Sequence, residues 1–189
     1  TFDAQGGSAA TPGTKSVTYD AAYGTLATTS RTGYTFNGWY TASTGGSLVT
    51  SATVVGTASD HTLYAQWTAN SYTVTFDEQG GGTPTPETKS VTYNAAYGTL
   101  ATTSRTGYTF NGWYTAPTGG TLVMDATLVS TADDHTLYAQ WTANSYTVTF
   151  DAQGGSAATP GTKSVTYDAA YGTLATTSRT GYTFNGWYT

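Results

Sequence analysis

Cysteine is absent from this chain of 189 residues. Its absence excludes disulfide bonds, thiolate metal sites and cysteine nucleophiles at once. It does not place the protein in the cytoplasm, because many surface proteins of Gram-positive bacteria also lack cysteine.

Charged side chains are scarce as well. They make up 9% of the chain, and eleven acids against six bases give a formal net charge of −5. The bases come singly, as Lys15 and Arg31 and their copies, whereas nucleic-acid binding needs clustered cations that release phosphate counterions. Attraction to an anionic membrane surface fails for the same reason. We therefore expect no nucleic-acid partner and no electrostatic membrane contact.

Long apolar runs are the third absence. No stretch approaches the roughly 20 residues that span a bilayer, so we expect no membrane insertion. No signal peptide is visible either, but the chain starts inside a repeat, and this says nothing about secretion.

Aromatic and small residues are abundant instead. Sixteen Tyr and five Trp contribute to an aromatic content of 14%, and hydrophobic residues reach 38%, which is enough for packed cores. Thr and Val are frequent, and 23 Gly supply turns. This composition favours strands.

An internal repeat organises the chain. Trp39, Trp113 and Trp187 are spaced by 74 residues, and most other positions follow the same period. A unit of this length suits autonomous domains in series better than a solenoid. We predict repeat 1 at 1–67 without the start of its first strand, a linker at 68–71, a complete repeat 2 at 72–141, a linker at 142–145, and repeat 3 at 146–189 without its C-terminal strands.

Alternating patterns in the complete unit predict five strands. Gly112 lies between Phe110 and Trp113, and a β-bulge there would turn both rings toward one core. A short helix is conceivable only at 95–104, where Gly98 argues against it. The predicted strands cover 72–76, 90–93, 108–114, 121–124 and 135–141.

The order of motifs resembles a known family. YTVTFDEQGG, TYNAAYGTL, RTGYTFNGWYT, a GG turn and HTLYAQW follow one another in the middle unit. This series resembles the Listeria–Bacteroides repeat family, also called the internalin-type B-repeat. The resemblance implies a mainly β, small α+β fold: tandem ubiquitin-like β-grasp domains in an extended array, found in bacterial surface and secreted proteins. The family often has prolines where this chain has 101–104, which leaves the conformation of that connection open.

Catalytic and metal-binding patterns are weak. His61 and His135 each stand in Asp-His-Thr-Leu-Tyr, and turn capping explains them better than a nucleophile–His–acid set. The acidic pairs at 77–78 and 133–134 lack the alternate-residue spacing of a calcium loop, and the glycines at 80–82 lack the Lys-Ser/Thr of a phosphate loop. We expect no catalytic residues, no metal, no cofactor and no enzyme activity.

Two further side-chain types are possible sites. Trp and Tyr could form a sugar-stacking platform or simply anchor a small core. Among them Tyr40, Tyr64, Tyr114 and Tyr138 alternate outward, so each is a candidate for ligand binding or for inter-domain packing. Lys89 is the only Lys of its unit, and we expect an exposed side chain rather than an isopeptide cross-link.

The repeat organisation, together with what the resemblance implies, leads us to expect one of three functions. The first is a non-catalytic structural stalk or spacer in an extracellular fibre of the bacterial cell surface, with neighbouring repeats as its partners. The second is an adhesive array that binds a glycan or a host surface protein weakly through each repeat. The third is a self-assembling filament in which edge strands of identical chains pair.

Overall fold

The computed structural model describes residues 1–189 and contains strands, turns and extended segments but no helix. No helix long and apolar enough for a membrane span is therefore present. The eleven strands are β1 (Phe2–Asp3), β2 (Tyr34–Tyr40), β3 (Leu48–Val49), β4 (Leu63–Ala69), β5 (Ser71–Asp77), β6 (Thr88–Thr92), β7 (Tyr108–Tyr114), β8 (Leu122–Val123), β9 (His135–Ala143), β10 (Ser145–Thr149) and β11 (Thr162–Thr166). The mainly β prediction is confirmed.

Three sheets contain these strands. A four-stranded sheet has the order β1-β4-β2-β3, a five-stranded sheet has the order β6-β5-β9-β7-β8, and β10 pairs with β11. By contacts the chain forms two compact units. One comprises 1–75, 88–100 and 124–136, and the other comprises 76–87, 101–123 and 137–189.

The first copy folds around the closing strand β4. It runs parallel to β1 and antiparallel to β2, so it lies in the middle of the sheet. Its residues alternate between the two faces, which buries Leu63 and Ala65 against Phe2 and Trp39. Trp39 is 2% exposed, and its indole N–H donates to the Ala27 carbonyl at 2.8 Å. Large aromatic burial of this kind supplies a core that has no disulfide to support it.

The predicted bulge is confirmed. The register of β7 against β9 shifts between Phe110 and Gly112, and Gly112 has a φ of 125°. A residue with a side chain rarely adopts that backbone conformation. The extra residue brings Phe110 and Trp113 to the same side, where their ring centroids are 5.5 Å apart. The strands predicted at 72–76, 108–114 and 135–141 all lie within observed strands. The predicted strand 90–93 begins two residues and ends one residue later than β6, and the predicted strand 121–124 extends one residue beyond β8 at each end.

A helix is absent from 95–104. Gly98 has a φ of 65° and Asn94 a φ of 60°, and neither value fits a right-handed helix. The backbone N–H groups of this segment also have partners elsewhere. Tyr97 donates to the Thr127 carbonyl at 2.9 Å and Gly98 donates to the Asp125 carbonyl at 2.8 Å. These bonds to the 125–129 segment replace the i to i−4 bonds that a helix would need.

The segment between the first two copies is mostly strand. Residues 68 and 69 end β4 and residue 71 begins β5, so that Asn70 alone lies outside a strand. The second such segment is arranged in the same way around Asn144. Strand backbone on both sides of one residue leaves few rotatable bonds between the copies.

Candidate functional site at the junction between copies

Asn70 is the centre of the junction between the first two copies. Its backbone N–H donates to the Gly33 carbonyl, and its carbonyl accepts from the Tyr93 N–H, both at 2.9 Å. Its side-chain oxygen accepts from the Thr35 hydroxyl at 2.6 Å. One residue is thus hydrogen-bonded to the copy before it and to the copy after it, which fixes its backbone.

An aromatic contact lies beside these hydrogen bonds. The ring of Tyr93 lies over Gly33, where an added Cβ would be less than 3.0 Å from the ring atoms Cδ1 and Cγ. The same ring meets Tyr34 edge to face, with centroids 5.6 Å apart and planes 82° apart. Gly33 has a φ of 77°, so the position needs glycine for its backbone and also for the space that the ring fills.

Arg31 supports Tyr34 from another side. Its guanidinium carbon is 3.9 Å from the centroid of the Tyr34 ring, and its Nη1 donates to the Gln5 carbonyl at 3.2 Å. A cation over an aromatic face contributes about 0.5–1 kcal/mol at an exposed site. The edge-to-face pair adds about 0.5–1.5 kcal/mol beyond its buried area. Together these contacts hold the Tyr34 ring in place for Tyr93.

The second junction repeats the geometry. Asn144 donates to the Gly107 carbonyl and accepts from the Tyr167 N–H, both at 2.8 Å. The Tyr167 ring lies over Gly107, again less than 3.0 Å from the position that a Cβ would take, and it meets Tyr108 with centroids 5.7 Å apart. The Tyr108 hydroxyl also donates to Asp168 at 3.3 Å. Repetition of every main contact shows that the junction belongs to the repeat and is not an accident of one position.

Counterparts that lie beside no other copy within residues 1–189 show what the contact changes. Tyr19 is the first-copy counterpart of Tyr93 and is 61% exposed, whereas Tyr93 is half-buried. Tyr182 is the third-copy counterpart of Tyr34 and is 67% exposed. A Cβ added to Gly181, the counterpart of Gly33, would meet nothing within 4 Å. The burial of these tyrosines and the filled space over the glycine therefore come from the adjacent copy.

The tyrosines predicted as candidates lie elsewhere. Tyr40 is directly opposite Tyr64 in the β2–β4 register, and Tyr114 is opposite Tyr138 in the β7–β9 register. All four are half-buried. Leu48, 48% exposed, pairs with Tyr40 from the other side. The candidates thus form one two-tyrosine cluster in each of the first two copies, on the sheet face opposite the buried Trp39.

The residues that join the copies are not predicted from the sequence. Tyr34, Tyr93 and Gly33 each stand in a motif that predicts only strands and turns. A signal exists at Tyr93, since it shares the strand face of Val91 yet lies beyond the last residue of β6. An inward-phased tyrosine past a strand end suggests a contact outside the strand's own core.

Both histidines have structural roles. The Nδ1 of His61 lies 2.9 Å from the Ser59 carbonyl, which can only accept, so Nδ1 carries the proton and donates. In the neutral imidazole Nε2 then accepts from the Tyr23 hydroxyl, at 2.5 Å. His135 has the same arrangement with Asp133 and Tyr97. Burial raises the pKa of Tyr23 and of Tyr97 above the usual 10.0, because the apolar surroundings disfavour a phenolate.

The acidic side chains bond to nearby backbone. Asp77 accepts from the Gln79 N–H at 2.9 Å, which forms a turn after β5. Asp134 accepts from the Thr73 N–H at 2.7 Å and Asp133 from the Asp134 N–H at 2.9 Å. No group of three or more His, Cys, Asp or Glu is arranged to hold a metal ion.

Lys89 is half-buried, whereas we expected its side chain to be exposed. Its ammonium group donates to the Thr99 carbonyl at 2.7 Å. Lys15 makes the same bond to the Thr25 carbonyl at 2.6 Å. The Cβ position of Gly98 is 3.3 Å from the same Nζ, so the hydrogen bond to the Thr99 carbonyl holds the Lys89 ammonium group against this segment.

Comparison with known families accounts for the repeat. The family model of the Listeria-Bacteroides repeat domain matches residues 1–66, 72–140 and 146–189. The chain belongs to the Listeria-Bacteroides repeat family. Each of the three matched segments contains Trp39 or one of its counterparts, and the resemblance inferred from the motifs is confirmed.

Individual relatives share this repeat. Internalin H of Listeria monocytogenes is 50% identical over 112 residues, which are 59% of this chain and 20% of that protein. A protein of Evansella cellulosilytica described as a putative Gly-rich membrane protein is 37% identical over 171 residues, which are 84% of this chain and 19% of that protein. A second protein of that organism, described as a putative membrane protein, is 32% identical over 163 residues, 83% of this chain and 24% of that protein. The matched repeats thus span about a fifth to a quarter of the length of these relatives.

Proposed function

We propose that these repeats are a non-catalytic spacer in a bacterial surface or secreted protein, and that the junction is the feature that makes the spacer stiff. The family assignment and the similarity to Internalin H support a surface repeat protein. The junction supports the spacer role. Asn70 is hydrogen-bonded on both sides, and the Tyr93 ring fills the space over Gly33.

The stiffness has a physical basis in the small number of backbone dihedrals that are free to rotate between neighbouring copies. A flexible linker lets neighbouring domains reorient, whereas strand residues flank Asn70 directly on each side. Any reorientation about Asn70 would break its hydrogen bonds and lift Tyr93 off Gly33. The predicted domain boundaries, 1–67, 72–141 and 146–189, and the extended array belong to the same proposal.

The proposal also includes a β-grasp fold for each copy. In the first copy the initial strand β1 and the closing strand β4 are parallel neighbours in a mixed sheet, which supports a β-grasp arrangement. Residues 95–104, the one stretch where the sequence allows a short helix, are hydrogen-bonded to residues 125–129 instead.

Small-angle scattering tests the spacer. We expect the maximum dimension of chains with increasing numbers of copies to grow linearly with copy number. Changing Tyr93→Ala and Tyr167→Ala together removes both rings from the junctions and is expected to shorten the maximum dimension and broaden the distribution of distances. Tyr19→Ala is the matched control, since Tyr19 occupies the same repeat position and is 61% exposed. A compact profile for the unchanged protein would contradict the proposal.

An adhesive array is the second candidate, supported by the tyrosine clusters. Tyr40, Tyr64 and Leu48 are cross-strand neighbours on a partly exposed face, and adjacent aromatic rings offer sugars a stacking surface. Many weak sites in series would bind through avidity. Glycan-array binding that rises with copy number and is lost in Tyr40→Ala, Tyr114→Ala would support this function. Binding unchanged by these substitutions would contradict it. A concentration series in the scattering experiment tests self-assembly into a filament.

A further inference from the structure

Four side chains form a row across the sheet of the first copy, which we call the tyrosine row. Tyr40 of β2 lies opposite Tyr64 of β4 on one side and Leu48 of β3 on the other. Asp3 of β1 lies opposite Tyr64 and ends the row. Cross-strand neighbours of this kind share one face of a sheet. The row crosses three strand spacings, about 14 Å, so it is long enough for a ligand larger than a single sugar ring.

The bulge glycine makes room for the side chains of this row. The position that a Cβ of Gly38 would take is 2.5 Å from the Leu48 methyl carbon Cδ1 and 3.8 Å from the Tyr40 ring atom Cε2. Both side chains therefore extend over the bulge instead of standing straight out from the sheet. Tyr40 is half-buried and Leu48 is 48% exposed, so part of this apolar surface stays open to solvent.

A fixed carboxamide lies next to the tyrosine row. Gln66 is opposite Gly38 and two residues beyond Tyr64 on β4, so it shares the face of the row. Its Nε2 donates to the Ala42 carbonyl at 3.1 Å and to the Gly45 carbonyl at 2.6 Å. Both amide hydrogens are thus in use, which holds the side chain in one orientation and leaves its Oε1 as an acceptor. A side chain that is already ordered saves the entropy cost of ordering it on binding.

A carboxylate ends the row on the other side. Oδ1 of Asp3 accepts from the Gln5 N–H at 2.9 Å, and the side chain is exposed. Its Oδ2 is therefore open to a donor from a ligand. A hydroxyl group that donates to a carboxylate forms a short and strong hydrogen bond.

Charge around the row favours an uncharged ligand. The two bases of the first copy have partners elsewhere, since Lys15 donates to the Thr25 carbonyl and Arg31 stacks on the Tyr34 ring. Over the whole chain eleven acids face six bases. The one charged group of the row, Asp3, would repel the carboxylate or sulfate of an acidic glycan. A ligand rich in hydroxyl donors complements the acceptors of this face.

The second copy has the same arrangement. Leu122 Cδ1 and Tyr114 Cε2 extend over the Cβ position of Gly112 at 2.5 and 3.8 Å. The carboxamide of this copy makes the corresponding two bonds, at 3.1 and 2.7 Å, and the carboxylate accepts from a turn N–H at 2.9 Å. Each of the two copies therefore has one row. The counterparts of the four row residues and the glutamine are Asp77, Tyr138, Tyr114, Leu122 and Gln140.

We propose, on the basis of the adhesive array proposed above, that the tyrosine row binds an uncharged glycan built of hexopyranose units. The apolar C–H face of one sugar ring stacks on Tyr40, and a neighbouring sugar ring lies on Tyr64. Hydroxyl groups of the glycan donate to Oδ2 of Asp3 and to Oε1 of Gln66. A quaternary ammonium ligand fits less well, because aromatic cages surround such a cation with several rings, whereas these two tyrosines lie side by side on an open sheet face.

Oligosaccharides of different charge test the ligand class on the whole 189-residue chain. The neutral probes are cellohexaose, laminarihexaose and mannohexaose, the acidic probe is hexagalacturonate, and the cationic probe is choline chloride. Titrations are followed by the backbone amide NMR signals of residues 38–40 and 64–66. We expect saturable shifts with at least one neutral probe, which should bind at least about tenfold more tightly than hexagalacturonate or choline. Its affinity should be the same at about 0.05 M and about 0.5 M NaCl, because salt screens only charged partners.

Paired variants locate the binding. Tyr40→Ala with Tyr114→Ala removes one stacking ring from each row and is expected to weaken binding of the neutral probe at least about tenfold. Asp3→Asn with Asp77→Asn keeps an Oδ1 for the turn N–H but replaces the open oxygen by a donor, and is expected to weaken binding at least about threefold. Tyr19→Ala is the control, because Tyr19 is 61% exposed and lies outside the row. It should bind like the unchanged chain.

The outcomes separate this proposal from the functions on which it rests. Tighter binding of hexagalacturonate or choline than of every neutral probe would overturn it. If that hexagalacturonate binding were lost in the Tyr40→Ala, Tyr114→Ala variant, the adhesive array would still hold, with an acidic ligand. Neutral binding that is unchanged in the Asp3→Asn, Asp77→Asn variant would also overturn it. No binding of any oligosaccharide would remove the adhesive array as well, whereas the spacer function depends only on the scattering experiment.

Discussion

The Tyr93 ring occupies the space where a side chain at Gly33 would have to be, with less than 3.0 Å between the Gly33 Cβ position and Cδ1 of the ring. The two residues belong to successive copies of the repeat. Their contact is repeated by Tyr167 and Gly107. In each of the first two copies, a glycine therefore leaves the space that an aromatic ring of the next copy fills. Substitution of the glycine tests this contact directly.

Gly33→Ala is expected to open the junction. The methyl group would displace the Tyr93 ring, and the positive φ adds strain of about 1–2 kcal/mol. We expect the amide protons of Asn70 and Tyr93, which bond across the junction, to exchange at least about tenfold faster.

Gly181→Ala is the control for that experiment. Gly181 has a φ of 79°, close to the 77° of Gly33, but nothing lies within 4 Å of its Cβ position. It should show the backbone strain without any effect on junction amides. Equal effects at Asn70 and Tyr93 from both substitutions would show that the ring contact contributes nothing.

Trp113→Phe is expected to destabilise the middle copy. Trp113 is buried, and its indole N–H donates to the Ala101 carbonyl at 2.8 Å. Phenylalanine leaves a cavity and an unpaired buried carbonyl, for a total cost of about 2–4 kcal/mol. Urea unfolding followed by the NMR signal of the Trp141 indole N–H measures it. Trp187→Phe, whose residue is less buried, should cost less, and the opposite order would contradict this account of the core.

Stability should fall at high pH through Tyr97. Its folded-state pKa is raised above 10.0 by burial, whereas the unfolded phenol titrates near that value. The stabilisation is therefore fully present below pH 10.0 and is lost as the pH rises through the folded-state pKa. Urea unfolding from about pH 8 to about pH 11.5 measures the slope. Tyr97→Phe removes the ionisable group, so its profile should be flatter at high pH than that of the unchanged chain. If stability depended on pH equally in Tyr97→Phe and in the unchanged chain, ionisation of Tyr97 would not be the cause of the loss.

Asp134→Ala is expected to loosen the start of β5. The carboxylate accepts from the Thr73 N–H at 2.7 Å, and loss of a bond to a charged acceptor costs about 1.5–3 kcal/mol when the donor is left unpaired and less where water replaces it. Hydrogen exchange at Thr73 measures the effect. Asp60→Ala is the matched control, since Asp60 holds the same repeat position without such a bond. Unchanged exchange at Thr73 in Asp134→Ala would contradict the assigned contact.

Much of the fold could be predicted because its determinants are local. The 74-residue period is visible in the spacing of Trp39 and Trp113, and alternation of bulky and polar residues predicts the long strands to within a few residues. The bulge at Gly112 follows from two aromatic rings three residues apart, a spacing that a regular strand cannot bring to one face.

Other features depend on partners distant in sequence. The segment 95–104 is extended because residues 125–129 supply its hydrogen bonds, which no local pattern in either segment indicates. The alternation of Tyr40 and Tyr64 predicts that both point outward, but their direct pairing required the register of β2 against β4.

The sequence by itself determined the repeat, the family, the strands and the aromatic core, because each depends on residue type and spacing along the chain. Only the tertiary structure decided how one copy meets the next. Locally, Tyr93 resembles the end of a strand and Gly33 part of a turn. Their contact exists because Asn70 and the strands beside it bring the two together, and chain proximity of that kind is a property of the folded backbone.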